Sequence, residues 1–236
     1  MMTFYLGWDV GGWHCDHNRN SRDAIAVLDE EGELIGWPWR GNLLPLINMA
    51  DTVEGWLTGL FERCELEIDV SVRCVLAIDA PLGWPQALLH LAHGQPANHV
   101  PERQRENPYL YRLTERLLFE RALRPLSAVQ DMIGSQATKA MHVCTRLTPE
   151  QMAHGVWSST DGRLIVLETY PAALKRSAMV VQALPRSARS YSGDRLDAIY
   201  CATLARLFDQ YPDSVWSPEW SAPAEEGWIW VPRDLQ

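Results

Sequence analysis

Three apolar runs in this chain end on an acid and are stopped at once by glycine or proline. "TFYLGWD" reaches Asp9 just before Gly11 and Gly12, "VLAID" reaches Asp79 just before Pro81 and Gly83, and "LIVLE" reaches Glu168 just before Pro171. Taken singly, an acid in such a place is an ordinary turn residue. Taken together, the three have a chemical use. If the strands run parallel, their carboxyl ends share one sheet edge, where open α/β sheets place ligands. Carboxylates gathered there repel one another until protonation or a cation relieves them. Oxygen donors without a His or Cys cluster favour Mg²⁺ or Mn²⁺ over zinc.

A fourth acid comes from "GDRLDAIYCATLARLFDQ". Asp194 and Asp197 stand at i and i+3 near the start of a helix, so they share one face, and either could reach the sheet edge if the helix packs against it. The competing expectation is a capping box, with Asp194 as N-cap and Asp197 answering it. Gly11 and Gly12 would let the backbone approach a phosphate closely; a plain hairpin turn also explains them. Other motifs carry less. His14, Cys15 and His17 lack a second ligand pair at zinc spacing. "VWSSTDG" contains no GxSxG elbow, and Cys201 lies in an apolar helix as a core residue.

The elements that must position these acids follow from periodicity. Residues 3–9, 23–29 and 33–37 read as three strands joined by short turns, an antiparallel meander. Residues 46–63 carry apolar side chains at helical spacing. Residues 74–79 lack polar alternation, as a central strand buried on both faces does. Helices are expected from Pro108 through "YRLTERLLFERAL", across "SAVQDMIGSQATKAMHV" with Gly134 a weak point, and from Pro171 to about Val181. Residues 163–171 make another apolar strand, "GWIWVP" a short final one, and residues 94–107 a candidate mobile loop. One α/β domain spanning 1–236, with a mainly helical insertion at about 84–160, is the simplest account.

Composition narrows the class. With 236 residues, 47% of them hydrophobic, the chain can bury a sizeable core. No apolar run approaches the roughly 20 residues of a membrane helix, and "MMTFYLGWDVGG" is not a signal peptide. The five cysteines show no CxxC spacing and suit reduced core thiols, so a cytoplasmic location is expected. A net charge of −9 argues against a broad non-specific nucleic-acid footprint. Lys139 and Lys175 are the only lysines, and the remaining cations are arginines, suited to a local phosphate or carboxylate.

Seven blocks, "GWDVGG", "AIDAPLGWP", "YRLTER", "PLSAVQDMIGSQATKA", "LETYPAALK", "GDRLDAIYCATLAR" and "EGWIWVP", resemble in order those of the domain of unknown function 429 family, described as predicted nucleases of the ribonuclease H-like fold. The resemblance implies a mixed sheet of three antiparallel and then parallel strands, flanked by helices. It carries the catalytic acids onto Asp9, Asp79, Glu168 and Asp197, and adds Arg112 and Glu115 as substrate-binding residues; an i,i+3 surface ion pair explains the last two equally well. The implied reaction is two-metal hydrolysis of a phosphodiester. Asp9 would bridge the ions, and Arg103, Arg105 or Arg112 would hold a phosphate of a nucleic acid or a phosphorylated small molecule.

Two other classes fit parts of the pattern. "GWDVGG" followed by a hairpin with "DEEGEL" is similar to the first phosphate loop of actin-like and sugar-kinase-like ATP-binding phosphotransferases, though no second Gly-rich motif follows. A non-catalytic binding module would leave the acids without a common purpose.

Overall fold

The computed structural model describes residues 2–18, 20–69, 71–218 and 222–235. Strands β1 (Thr3–Asp9), β2 (Asp23–Leu28) and β3 (Leu34–Gly41) form the expected antiparallel meander. Strand β4 (Arg73–Asp79) lies parallel to β1, and the later apolar run, β7 (Leu164–Thr169), lies parallel to β4. A hairpin of β5 (Glu150–Ala153) and β6 (Val156–Ser158) adds its second strand antiparallel to β7, and β8 (Ile229–Trp230) pairs in parallel with the end of β7. The mixed open sheet runs β3-β2-β1-β4-β7-β6-β5, with β8 beside β7.

Period-two alternation divides the core into two layers. Phe4, Leu6 and Trp8 of β1, with Leu76 and Ile78 of β4, pack under helices α1 (Leu44–Met49), α2 (Val53–Arg63) and, past α3 (Gln86–Ala92) and α4 (Leu113–Glu120), α5 (Gly134–Leu147). Tyr5, Val75 and Ala77 face the opposite way. They pack under α6 (Pro171–Leu174), α7 (Ala178–Ala183) and α8 (Asp194–Gln210). Helix α8 sits directly on β1 because residue 7 is glycine. A Cβ there would lie 1.9 Å from the Ala198 carbonyl oxygen and 2.5 Å from the Ala202 nitrogen. That contact brings the first turn of α8 close to the end of β1.

Several helices are shorter than their periodicity suggests, each for a local reason. The apolar pattern at 46–63 is broken at 50–52, where Thr52 is extended and its side chain accepts from Gly55 N (3.1 Å), starting α2 afresh. Ser177 does the same for α7, accepting from Val180 N (3.1 Å), so the helix from Pro171 is split before Val181. Pro108 does not begin a helix: Asn107 Oδ1 accepts from Tyr109 N (2.9 Å), an Asx turn, and α4 starts at Leu113. Gly134 opens α5 and does not interrupt it. The span 84–160 holds α3, α4 and α5, but its last residues fold as the β5–β6 hairpin. The five cysteines are free and buried. Among the described residues no helix is long and apolar enough to cross a membrane.

Candidate carboxylate cleft

The register of β1 against β4 makes Asp9 and Asp79 direct partners, side by side at the carboxyl ends of adjacent parallel strands. Both share the parity of Tyr5 and Val75, which turns them toward the α8 side of the sheet. Glu168 differs. It pairs with Ile78, one position earlier, so it takes the parity of the opposite layer. There Arg112 grips it with Nη1 to Oε2 at 2.8 Å and Nη2 to Oε1 at 2.6 Å, and Leu82 N donates to Oε2 at 2.9 Å.

Arg112 and Glu115 are both 1% exposed. Arg112 Nε donates to Glu115 Oε1 (2.9 Å), Glu115 Oε2 accepts from Arg112 N (2.8 Å), and Arg112 Nη1 also donates to the Glu226 carbonyl (3.0 Å). These two residues are therefore not a surface ion pair: both are buried, and Arg112, braced by Glu115, holds Glu168 inside the protein. Arg103 pairs with Glu106 on the surface (3.3 Å).

Helix α8 supplies the other acids. Its N-cap is Gly193, at φ 57° and ψ −143°, a conformation open to glycine. No side chain caps the helix, so the capping-box expectation fails, and Asp194 and Asp197 lie in the first turn, favoured there by the helix dipole. Asp194 Oδ2 accepts from Arg40 Nε at 2.6 Å. Asp197 Oδ1 lies 2.5 Å from Lys175 Nζ, at an angle outside hydrogen-bonding geometry; the oxygen is buried and accepts no hydrogen bond.

Gly11 and Gly12 are held from beneath. The Gly11 N–H donates to Asp23 Oδ1 (3.0 Å), which also receives Trp8 Nε1 (2.9 Å), while Asp23 Oδ2 receives Leu43 N (2.8 Å) and Lys139 Nζ (2.5 Å). Lys139 donates further to the Gly12 carbonyl (3.2 Å), and the Asp23 and Lys139 side chains are fully enclosed. The glycine loop is thus shaped by a buried ion pair, with one amide already engaged. Periodicity gives no sign of that pair; the rarity of lysine in this chain was the available clue.

Around the two central acids lies a cleft of about 220 Å³, lined by Asp9, Asp79, Glu168, Tyr170, Asp194 and Arg22 among others. Gly11, Gly12, Arg112 and Glu115 do not line it. Burial, and then the nearby charges of Asp79, Asp194, Asp197 and Asp23, raise the Asp9 carboxyl well above its ordinary range. Burial, followed by Asp197 and Glu168, pushes Asp79 up to about 7, with Lys175 opposing. Among the described residues no ion pair or side-chain hydrogen bond reaches either carboxylate. Arg22 Nε, on the cleft wall, is also buried without a hydrogen-bond partner.

Three ligating groups do not converge here: among the described residues no three His, Cys, Asp or Glu side chains are placed to hold one ion. Two adjacent carboxylates still fit magnesium, which is commonly bound through one or two carboxylates and keeps waters or phosphate oxygens on its other positions. Asp197 acts on both carboxyls electrostatically, but it does not line the cleft and its Oδ1 is ion-paired with Lys175. No family model, curated protein or solved structure matches the chain.

Proposed function

We propose that this protein is a divalent-cation-dependent phosphodiesterase, a nuclease of the ribonuclease H-like kind. The observation that carries the reading is the Asp9–Asp79 pair: two recessed carboxyls in register, with no ion pair on either among the described residues. Such a pair is costly to keep unless a ligand of opposite charge uses it. The sheet order β3-β2-β1-β4-β7, antiparallel across the first three strands and parallel from β1 to β7, supports the fold assignment.

Mg²⁺ or Mn²⁺ bound at this edge supplies Lewis acidity to a phosphoryl oxygen and to the attacking water. Asp9 and Asp79 would hold the ion, and Asp197, ion-paired with Lys175 outside the cleft lining, would add negative field to it. Glu168, already neutralised by Arg112, fixes the floor of the cleft through Leu82 N and takes no ligand role. Arg22 lines the cleft with a buried Nε that has no hydrogen-bond partner, and would meet a non-bridging phosphate oxygen.

Replacement of Asp9 tests the reading. Asp9→Asn abolishes Mn²⁺-stimulated cleavage of a labelled oligonucleotide and leaves the melting temperature unchanged or raised. Equal cleavage by wild type and variant refutes it. Micromolar binding of Mg-ATP in titration calorimetry, without cleavage, points to the phosphotransferase class instead.

A further inference from the structure

A second groove, of about 620 Å³, opens beside the carboxylate cleft, and Pro125 and Leu126 line both. Its wall is apolar and aromatic, with Tyr111 and Phe119 in edge-to-face contact at 5.0 Å and Leu126 53% exposed. Arg105 and Arg124 also line it, and both residues are exposed. Among the described residues neither guanidinium has an ion pair or a side-chain hydrogen bond. Both are therefore open to an anionic ligand lying in the groove. The carboxylate on the same wall, Asp131, already accepts the Ser127 N–H at 2.8 Å.

Resting on the phosphodiesterase reading, we infer that this groove receives the stretch of a single-stranded nucleic acid flanking the bond in the cleft. Arg105 and Arg124 meet its phosphates, and the half-buried Phe119 with the exposed Leu126, backed by the buried Tyr111, meets a base. The volume suits a nucleotide, and an apolar wall joined to unpaired arginines is the combination that binds single strands without reading sequence. A duplex keeps its base faces stacked and offers none to the groove wall. The chain's net charge of −9 makes any phosphate binding depend on these few local cations.

Fluorescence anisotropy of the full chain in EDTA, with a labelled 12-nucleotide DNA strand and the matching duplex as probes, tests this apart from cleavage. The wild type binds the strand at least tenfold more tightly than the duplex. The double variant Arg105→Ala/Arg124→Ala binds the strand about tenfold more weakly, and its slope of log K against log salt is shallower by about 1.4, as loss of two phosphate contacts on a single strand requires. Leu126→Asp, at an exposed position, weakens the strand similarly. Arg186→Ala/Arg189→Ala, a pair of exposed arginines outside the groove, changes nothing. Absent strand binding, equal affinity for the duplex, an unaffected Arg105/Arg124 variant, or equal weakening by the Arg186/Arg189 control overturns the inference. If strand binding depends on the two arginines while Asp9→Asn still cleaves like wild type, the groove stands and the catalytic assignment falls. The reverse pair of results sinks the groove alone.

Discussion

Arg112 reaches Glu168 across 56 positions of sequence, and its two terminal nitrogens sit 2.8 and 2.6 Å from the two carboxylate oxygens. Both side chains are buried, and the remaining guanidinium nitrogen is bonded to Glu115. Removing the arginine strands two carboxylates away from water. Arg112→Met should therefore lose about 3–5 kcal/mol of stability in urea unfolding, the range for breaking a buried ion pair. Glu168→Gln leaves Arg112 its Glu115 partner and should lose less. An Arg112→Met midpoint indistinguishable from wild type would show that the network does not hold the cleft floor.

Lys139 and Asp23 form the second enclosed pair, under the glycine loop. Lys139→Met leaves Asp23 charged and unmatched, and should again destabilise by about 3–5 kcal/mol. Its local signature is more telling. Hydrogen exchange at the Gly11 amide, which donates to Asp23, should speed up more than exchange in β4. Uniform acceleration across the sheet would mean only global weakening.

Gly7 controls how closely α8 approaches β1. Gly7→Ala drives a methyl group into the backbone of Ala198 and Ala202, which cannot rotate away. The helix must shift, at an expected loss of about 1–3 kcal/mol. Asp194 and Asp197 ride on that helix, so under the proposed function Mn²⁺-stimulated cleavage should fall further than folded population alone explains. Activity that merely tracks the folded fraction would separate α8 from the site.

The acids also predict a pH dependence of the ion-free protein. Folding raises Asp79 from 3.8 to about 7, so the folded state binds more protons than the unfolded state across that interval. This contribution is fully present below the unfolded value and is lost as pH rises towards about 7. Thermal unfolding in EDTA should show stability declining over that window, and Asp79→Asn should flatten the decline. Adding Mn²⁺ at pH 8 should raise the wild-type melting temperature, because an ion that binds the folded state alone stabilises it. A Tm insensitive to Mn²⁺ would argue for the non-catalytic class.

Much of the scaffold is legible in the sequence. The runs ending at Asp9, Asp79 and Glu168 are strands, the meander is antiparallel, and β1, β4 and β7 run parallel with their acids toward one edge. Hydrophobic periodicity carries that information because each run must bury one or both faces, whatever its partner. The breaks at Thr52 and Ser177 were less visible, since apolar spacing continues through both while a local side-chain cap wins over it. The β5–β6 hairpin escaped because β5 is exposed along its length and offers no apolar alternation.

The composition of the site is a different matter. That an acid closes each central strand is a property of the sequence; which side of the sheet each acid faces depends on register between strands. Glu168 lies opposite Ile78, takes the other parity and is gripped by Arg112, while Asp9 and Asp79 stay together on the α8 side. A shift of one residue would reverse this, and no local pattern encodes it. The same holds for the counter-charges: Lys139 with Asp23, Lys175 with Asp197 and Arg40 with Asp194 are far apart in the chain. Spacing places residues on faces; long-range packing alone decides which charges are neutralised and leaves Asp9 and Asp79 the pair that is not.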